Sequence, residues 1–333
     1  MEQSLEKRRI GNTDLEATIV SLGCGSIGNL YRAASRADYE ATMDVAWGSG
    51  IRYFDTAPRY GHGLSERRLG DFLRGKPRAS YVVSTKVGRV LYPVAESAVP
   101  DYGFADPLPF AARYDYSYDG VMRSHDDSLM RLGLNRVDIL LVHDIGVLTH
   151  GETENARHFG DLMNGGMKAL EQLKREGTIR AYGLGVNETQ ICLDVIDRAP
   201  VDCILLAGRY TLLDRGAEAV LLDRCAQTRT SLIIGGVFNS GILATGAQPG
   251  AQFDYQPASR EVLQRVAALE AIARASDIPL AAAALQFPLR RPEVASVLIG
   301  TAKPASLARN LALLDTPVAD HTWQEFDRAA RSG

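Results

Sequence analysis

The chain alternates between two textures. Short aliphatic and β-branched runs are followed by longer stretches in which apolar positions recur at helical spacing. The short runs predict strands at Ile19–Leu22, Ile51–Phe54, Tyr81–Ser84, Val137–Val142, Ile179–Leu184, Cys203–Leu206, Ser231–Ile234 and Ala295–Ile299. Between them the spacing predicts helices over Asp38–Ser49, Ser65–Leu73, Asp119–Leu132, Gly160–Glu176, Glu188–Arg198, Gly216–Thr228, Ser259–Ser276 and Leu280–Leu289. Two more, Pro304–Leu314 and His321–Ala330, close the chain. Strands alternating with helices imply βαβ units and a parallel sheet. Eight of them in 333 residues predict an α/β fold of the (β/α)8 TIM-barrel type, with long βα loops and extra helices. The competing architecture is a doubly wound open sheet, which places GxGxxG between its first strand and a helix. Here Gly23–Gly28 reads GCGSIG, but Asn29–Ser35 intervenes before any helix. No Gly/Ser or Pro linker and no charge block divides the chain. Residues 1–333 are therefore expected to form one barrel domain.

Two connections are long. Residues Gly88–Tyr118 follow the third strand and carry Tyr92, Tyr102, Phe104, Phe110, Tyr114, Tyr116 and Tyr118. So many aromatics argue against disorder and for a functional loop. A second loop, Asp144–Phe159, follows the fourth strand and contains HGETENARH. Its His150 and His158 lack one-face helical spacing and read as part of a solvated loop. No metal site is expected.

Composition narrows the class. Hydrophobic residues make up 46% and charged residues 23%, as in ordinary globular proteins. The formal net charge of −3 offers no basic excess, so neither nucleic acid nor an anionic membrane is an expected partner. The four cysteines, Cys24, Cys192, Cys203 and Cys225, form no CxxC pair and suit a reducing cytoplasm. The charged start MEQSLEKRRIG lacks an apolar segment behind it, and no run approaches a membrane span. A cytoplasmic protein acting on a small molecule is expected. Nothing in the sequence specifies its oligomeric state.

In a barrel, chemistry gathers at the C-terminal ends of the strands. Three polar residues stand there: Asp55 ends IRYFD, Lys86 ends YVVSTK and His143 ends ILLVH. Tyr60 follows in a loop whose Pro58, Gly61 and Gly63 favour a turn. Each has a plainer reading: a turn-forming Asp, a solvated rim Lys, a structural His, a packing Tyr. Together they make chemical sense. A phenol, with its pKa of about 10, is a poor base at neutral pH. A neighbouring ammonium favours its phenolate, and a carboxylate fixes the ammonium. A histidine can orient the substrate oxygen. The set is a proton donor and acceptor aimed at a carbonyl or carbinol. No GxSxG, Walker A or HExxH motif competes with it.

The stretches YFDTAPRYG, VVSTKVGR and ILLVHD resemble the signatures of the aldo-keto reductase family. The resemblance runs from LGCGSIG through RAYGLGVNE to IGTAKPASLARNL. It implies a (β/α)8 barrel that uses NAD or NADP without a metal. Tyr60 would be the general acid/base, Lys86 and Asp55 its tuning pair, and His143 the residue orienting substrate. The implied cofactor contacts are Gly25 and Ser26 near the nicotinamide ribose and Asn187 at the carboxamide. Phe238 stands in for an absent stacking Tyr. Asn239, Ser240, Gly241 and Leu243 fall where the family loop wraps the pyrophosphate. Gly300, Thr301 and Lys303 fall on the adenosine side, and Asn310 at the adenine. An Arg that grips the 2′-phosphate in NADP-preferring relatives is replaced by Ser306, which implies NAD, with NADP possible if Lys303 or Arg309 compensates. GGVFNSGILATG and GLGVNE resemble the subgroup of sugar 1-dehydrogenases and pyridoxal 4-dehydrogenases. Oxidation of an aldose's anomeric carbinol to a lactone is the implied reaction. Pyridoxal oxidation, NADPH-dependent aldehyde reduction and an NADP-binding regulatory subunit are the alternatives.

Overall fold

Alternation along the strands decides what fills the barrel. In this computed structural model, which describes residues 5–331, eight parallel strands close into a barrel. They are β1 (Val20–Gly23), β2 (Tyr53–Asp55), β3 (Val82–Val87), β4 (Ile139–His143), β5 (Ala181–Val186), β6 (Cys203–Ala207), β7 (Ser231–Gly235) and β8 (Val294–Gly300). Each pairs with its sequence neighbours, and β8 closes onto β1 through Val297↔Val20 to Gly300↔Gly23. The sequence therefore predicts all eight strands, each within a few residues of its observed ends.

Every second side chain on a strand points inward. Tyr53, Val82, Ile139, Leu141, Ala181, Cys203, Leu205, Ile233 and Ala295 form one buried cluster, which is the barrel interior. Ile10, Leu15 and Ala17, from the hairpin pairing Lys7–Arg9 with Glu16–Thr18, join this cluster and floor the barrel. Continuing the same inward phase upward gives Asp55 on β2, Ser84 and Lys86 on β3, and His143 on β4. Those positions are the top of the interior, where polar groups replace the apolar filling. The larger cluster lies between the strands and the surrounding helices.

The helices follow the apolar spacing. Tyr118–Leu132 begins at Ser117, whose hydroxyl accepts from the Gly120 N–H, and ends at Gly133 with φ +62°. Such a cap serves N–H groups that have no partner inside the helix. Four expectations need correction. Residues Gly88–Tyr118 are not structureless: Arg89–Pro93 pairs antiparallel with Phe110–Tyr114. Alternation in RVLYP and FAARY is too short and mixed to announce that hairpin. Most of Asp144–Phe159 belongs to a helix, Val147–Asp161, kinked at Gly151. The expected helix Gly160–Glu176 starts as a π-helical turn at Leu162–Gly166, then continues as Met167–Arg175. A Cβ on Gly166 would lie 2.4 Å from the Tyr116 carbonyl oxygen, so the backbones meet there. The helix expected from Gly216 begins only at Leu221.

Candidate active site

Four residues that the sequence marks come together at the barrel mouth. Asp55 is fully buried, and its Oδ2 accepts from Lys86 Nζ at 2.7 Å. The ammonium also donates to the Thr56 carbonyl at 2.9 Å and to the Tyr60 hydroxyl oxygen at 3.3 Å. Asp55 Oδ1 accepts from Ser84 Oγ at 2.7 Å, and Ser84 accepts from the Tyr53 hydroxyl at 3.0 Å. A continuous chain of hydrogen bonds thus links the inner packing layer to the Tyr60 phenol. Gly185 on β5 makes room for it, because a Cβ there would lie 3.2 Å from Lys86 Cε. His143 closes the group, its ring edge-on to Tyr60 at 6.1 Å between centroids.

The Tyr60 loop is held from below. A Cβ on Gly28 would come within 2.8 Å of the Tyr60 carbonyl carbon, and one on Gly61 within 2.4 Å of the Gly28 oxygen. The last glycine of GCGSIG therefore serves close approach of the loop that carries the phenol. Ser65 Oγ donates to the Cys24 carbonyl at 2.7 Å and meets Thr56 Oγ1 at 2.8 Å, tying the ends of β1 and β2 together.

Burial governs the electrostatics. Removal from water pushes the Tyr60 phenol up to about 12, and the lowering effect of Lys86 only partly offsets this. Lys86 favours the phenolate, as the sequence leads one to expect, but burial outweighs it. Burial also works against the Lys86 ammonium, but Asp55 and Tyr60 outweigh it and hold its pKa above the usual lysine range. His143 is pushed well below the ordinary histidine value by burial, and Arg89 and Lys86 add to the effect against Asp144. It is therefore neutral at pH 7. Its proton uptake is refused in the folded state but allowed in the unfolded chain. The stability it contributes is present above about pH 6.5 and is lost as pH falls below that. The imidazole NMR shifts of His143 should show no titration midpoint near pH 6.5; one there would contradict this environment.

Asp144, Arg89 and Arg59 were not marked by the sequence, whereas Tyr102, Phe104 and Tyr116 come from the aromatic loop it singles out. Asp144, with φ +49°, places Oδ2 3.5 Å from His143 Nε2 and accepts from Arg89 Nη2 at 2.6 Å. Phe104 lies 6.1 Å from the Tyr60 ring, and Arg59 covers Tyr102 at 5.4 Å. Tyr116 donates to the His143 carbonyl at 2.8 Å and meets His150 Nε2 at 2.9 Å. His150 and His158 are correspondingly not solvated loop residues: their rings pack at 4.5 Å and His158 is buried. Burial lowers both imidazoles, His150 to about 4. Cys24 is buried with its thiol pushed up, as fits a small apolar residue.

The implied cofactor residues divide. Gly25 caps the short turn Ser26–Gly28 directly after β1. Asn187 gives its carbonyl to Arg209 Nε at 2.9 Å, and Ser240 Oγ accepts from the Tyr255 N–H at 3.0 Å. Asn239 is buried and bonded to Thr211 and to the Gly208 carbonyl, and the Leu243 side chain is buried in the core. Only the backbones of these two could approach a cofactor. Phe238 packs against the core with part of its ring exposed. Gly241 has φ +98° and starts the turn Ile242–Thr245. At the end of β8, Gly300 is exposed and Thr301 Oγ1 accepts from the Lys303 N–H at 3.1 Å. Helix Pro304–Ala312 starts at Lys303 without a side-chain cap, while Ser306 and Asn310 stand half-buried on it. At the end of β7, Gly235 is buried, and a Cβ there would be in ordinary contact with Ala207 at 3.5 Å. An uncapped helix start with a lysine, beside the exposed end of β8, fits an anionic dinucleotide.

This barrel, with its buried Asp–Lys–Tyr chain and neighbouring histidine, belongs to the Aldo/keto reductase family, whose match spans residues 20–331. The protein is an NAD(P)-dependent oxidoreductase. It is 45% identical over 327 residues to pyridoxal 4-dehydrogenase of Microbacterium luteolum, covering 96% of this chain and 95% of that one. With D-threo-aldose 1-dehydrogenase of a Pseudomonas species it shares 38% over 313 residues, 92% of each chain. L-galactose dehydrogenase of Arabidopsis thaliana is 31% identical over 318 residues, 92% of this chain and 88% of that one. Among solved structures, the holo form of an aldo-keto reductase from Bacillus halodurans superposes with TM-score 0.76 at 25% identity, covering 99% of this chain and 97% of that one. Among the described residues, no helix is long and apolar enough to cross a membrane.

Proposed function

We propose that the protein oxidises the carbinol carbon of a cyclic hemiacetal to a lactone. The candidate substrates are an aldose of the L-fucose, L-galactose or D-threo type, and pyridoxal in its cyclic form. The observation that carries this reading is the Asp55–Lys86–Tyr60 chain at a mouth shared with neutral His143. Tyr60, as phenolate, takes the hydroxyl proton, and Lys86 stabilises the phenolate charge. His143 orients the substrate oxygen. Bound NAD(P) supplies the hydride acceptor. As the O–H proton passes to Tyr60 and the C–H hydride leaves, the carbon–oxygen bond becomes the lactone carbonyl. The residues on hand to hold the dinucleotide are Gly25, Ser26, Asn187, Phe238, the backbone of 239–243, Gly300, Thr301, Lys303, Ser306 and Asn310. Pyridoxal is favoured over a sugar by the higher identity to a pyridoxal 4-dehydrogenase, 45% against 38% for the aldose enzyme. A panel of aldoses, pyridoxal and simple aldehydes with NAD and with NADP, followed by nicotinamide absorbance, tests this. Turnover confined to aldehyde reduction would overturn it.

NAD is proposed as the working cofactor. Ser306 accepts from Arg309 Nη2 at 3.2 Å, so the guanidinium is anchored to the hydroxyl. NAD should be used at least as well as NADP. Ser306→Arg should shift kcat/KM towards NADP by roughly tenfold or more, the worth of a charge-assisted bond. A native enzyme that strongly prefers NADP, and loses that preference in Arg309→Ala, would assign the phosphate to Arg309 instead.

A further inference from the structure

Three cationic side chains reach the active-site mouth, and two have resident carboxylates. Lys86 holds Asp55 at 2.7 Å, and Arg89 holds Asp144 at 2.6 Å. Arg59, immediately before Tyr60, makes no ion pair or side-chain hydrogen bond among the described residues. Its guanidinium lies over the Tyr102 ring at 5.4 Å. Burial depresses its pKa, and the like charge of Arg89 adds to that. It directly precedes Tyr60 in the chain, and its charge works against proton uptake at His143 and favours the Asp144 carboxylate. A partly desolvated cation without a counter-ion is an unfavourable arrangement that an anionic ligand relieves. Arg differs from Lys here because its planar fork matches an oxyanion and stacks on rings.

Resting on the hemiacetal-oxidising reading above, we propose that Arg59 reads the substrate, selecting a flat ring that carries an ionised hydroxyl over a neutral sugar. Two features besides the unpaired charge support this. Phe104 lies 6.1 Å from Tyr60 at a 34° tilt, so the wall beside the phenol is an aromatic face. The two carboxylates beside the phenol also have cationic partners already. Asp55 is committed to Lys86 and Ser84, and Asp144 to Arg89. A sugar presents many O–H donors that need such acceptors, whereas an ionised ring hydroxyl needs only donors. Pyridoxal has this chemistry, because its ring nitrogen acidifies the hydroxyl next to the reacting carbon.

The test uses the full-length enzyme with NAD, comparing native, Arg59→Gln and Arg59→Lys. Pyridoxal and its 3-O-methyl ether are the matched substrates. The native enzyme should favour pyridoxal over the ether by roughly tenfold or more in kcat/KM. In Arg59→Gln this ratio should collapse towards one, and Arg59→Lys should keep part of it. A native ratio near one, or a ratio unchanged in Arg59→Gln, overturns the proposal. If no hemiacetal is oxidised at all, the functional reading fails, and Arg59 is then judged by binding alone. For that, 4-deoxypyridoxine, which has the ring hydroxyl but no reactive carbonyl, is titrated into the enzyme–NAD complex beside its 3-O-methyl ether. Tighter binding of the free hydroxyl, lost in Arg59→Gln, upholds the assignment. Equal binding of the two in the native enzyme rejects it.

Discussion

Tyr60→Phe should lower turnover by roughly 10²–10⁴-fold, the range for loss of a positioned acid/base group, while folding and cofactor affinity persist. The substitution is clean because the ring does the packing. It lies against Phe104 at 6.1 Å and edge-on to His143 at 6.1 Å, contacts that Phe retains. Among the described residues the hydroxyl has one partner, Lys86 at 3.3 Å, and the ammonium keeps Asp55 and the Thr56 carbonyl when it leaves. No buried charge is stranded. Steady-state rates with the best substrate of the panel, together with NADH titration by fluorescence, separate the two effects. Near-native turnover in the variant would mean that another group moves the proton.

What the sequence made legible follows from periodicity. Strands that are mostly apolar leave a charged or imidazole residue conspicuous at their end. Asp55, Lys86 and His143 stood out for that reason, and the barrel brings their ends together. Tyr60 was legible only through its neighbours, since a tyrosine in a loop carries no pattern of its own. Arg59, Arg89 and Asp144 gave no signal, because charged residues in loops are ordinarily solvated. Their roles depend on a hairpin whose pairing is non-local, Arg89↔Tyr114 through Pro93↔Phe110. His150 and His158 were misplaced for a related reason. The helix that carries them passes through Gly151 at φ +69°, which breaks the spacing by which a shared face is recognised. Family likeness located Asn239 and Leu243 beside the cofactor path, but only packing reveals that their side chains are already buried.

Lys86→Met should have two separable consequences, one on stability and one on rate. The Lys86–Asp55 pair is essentially out of water, and replacing the ammonium leaves the carboxylate with Ser84 as its one remaining partner among the described residues. Breaking a buried pair from one side costs about 3–5 kcal/mol, whereas removing both charges together often costs far less. Lys86→Met should therefore melt well below the native protein, and Asp55→Asn combined with Lys86→Met should recover much of the difference. The rate should not recover, because both variants lack the ammonium that lowers the Tyr60 pKa. The pH profile carries the sign. Oxidation needs the phenolate, and burial pushes the phenol up to about 12, so kcat/KM should rise with pH, roughly tenfold per unit, through neutrality. Reduction needs the phenol and should not show that rise. Loss of Lys86 moves the oxidative limb to still higher pH, so the double variant should be stable yet slow at pH 8. If the stable double variant oxidised at the native rate with an unmoved profile, the ammonium would serve only as a counter-ion for Asp55, and the proton chemistry at Tyr60 would have to be governed elsewhere.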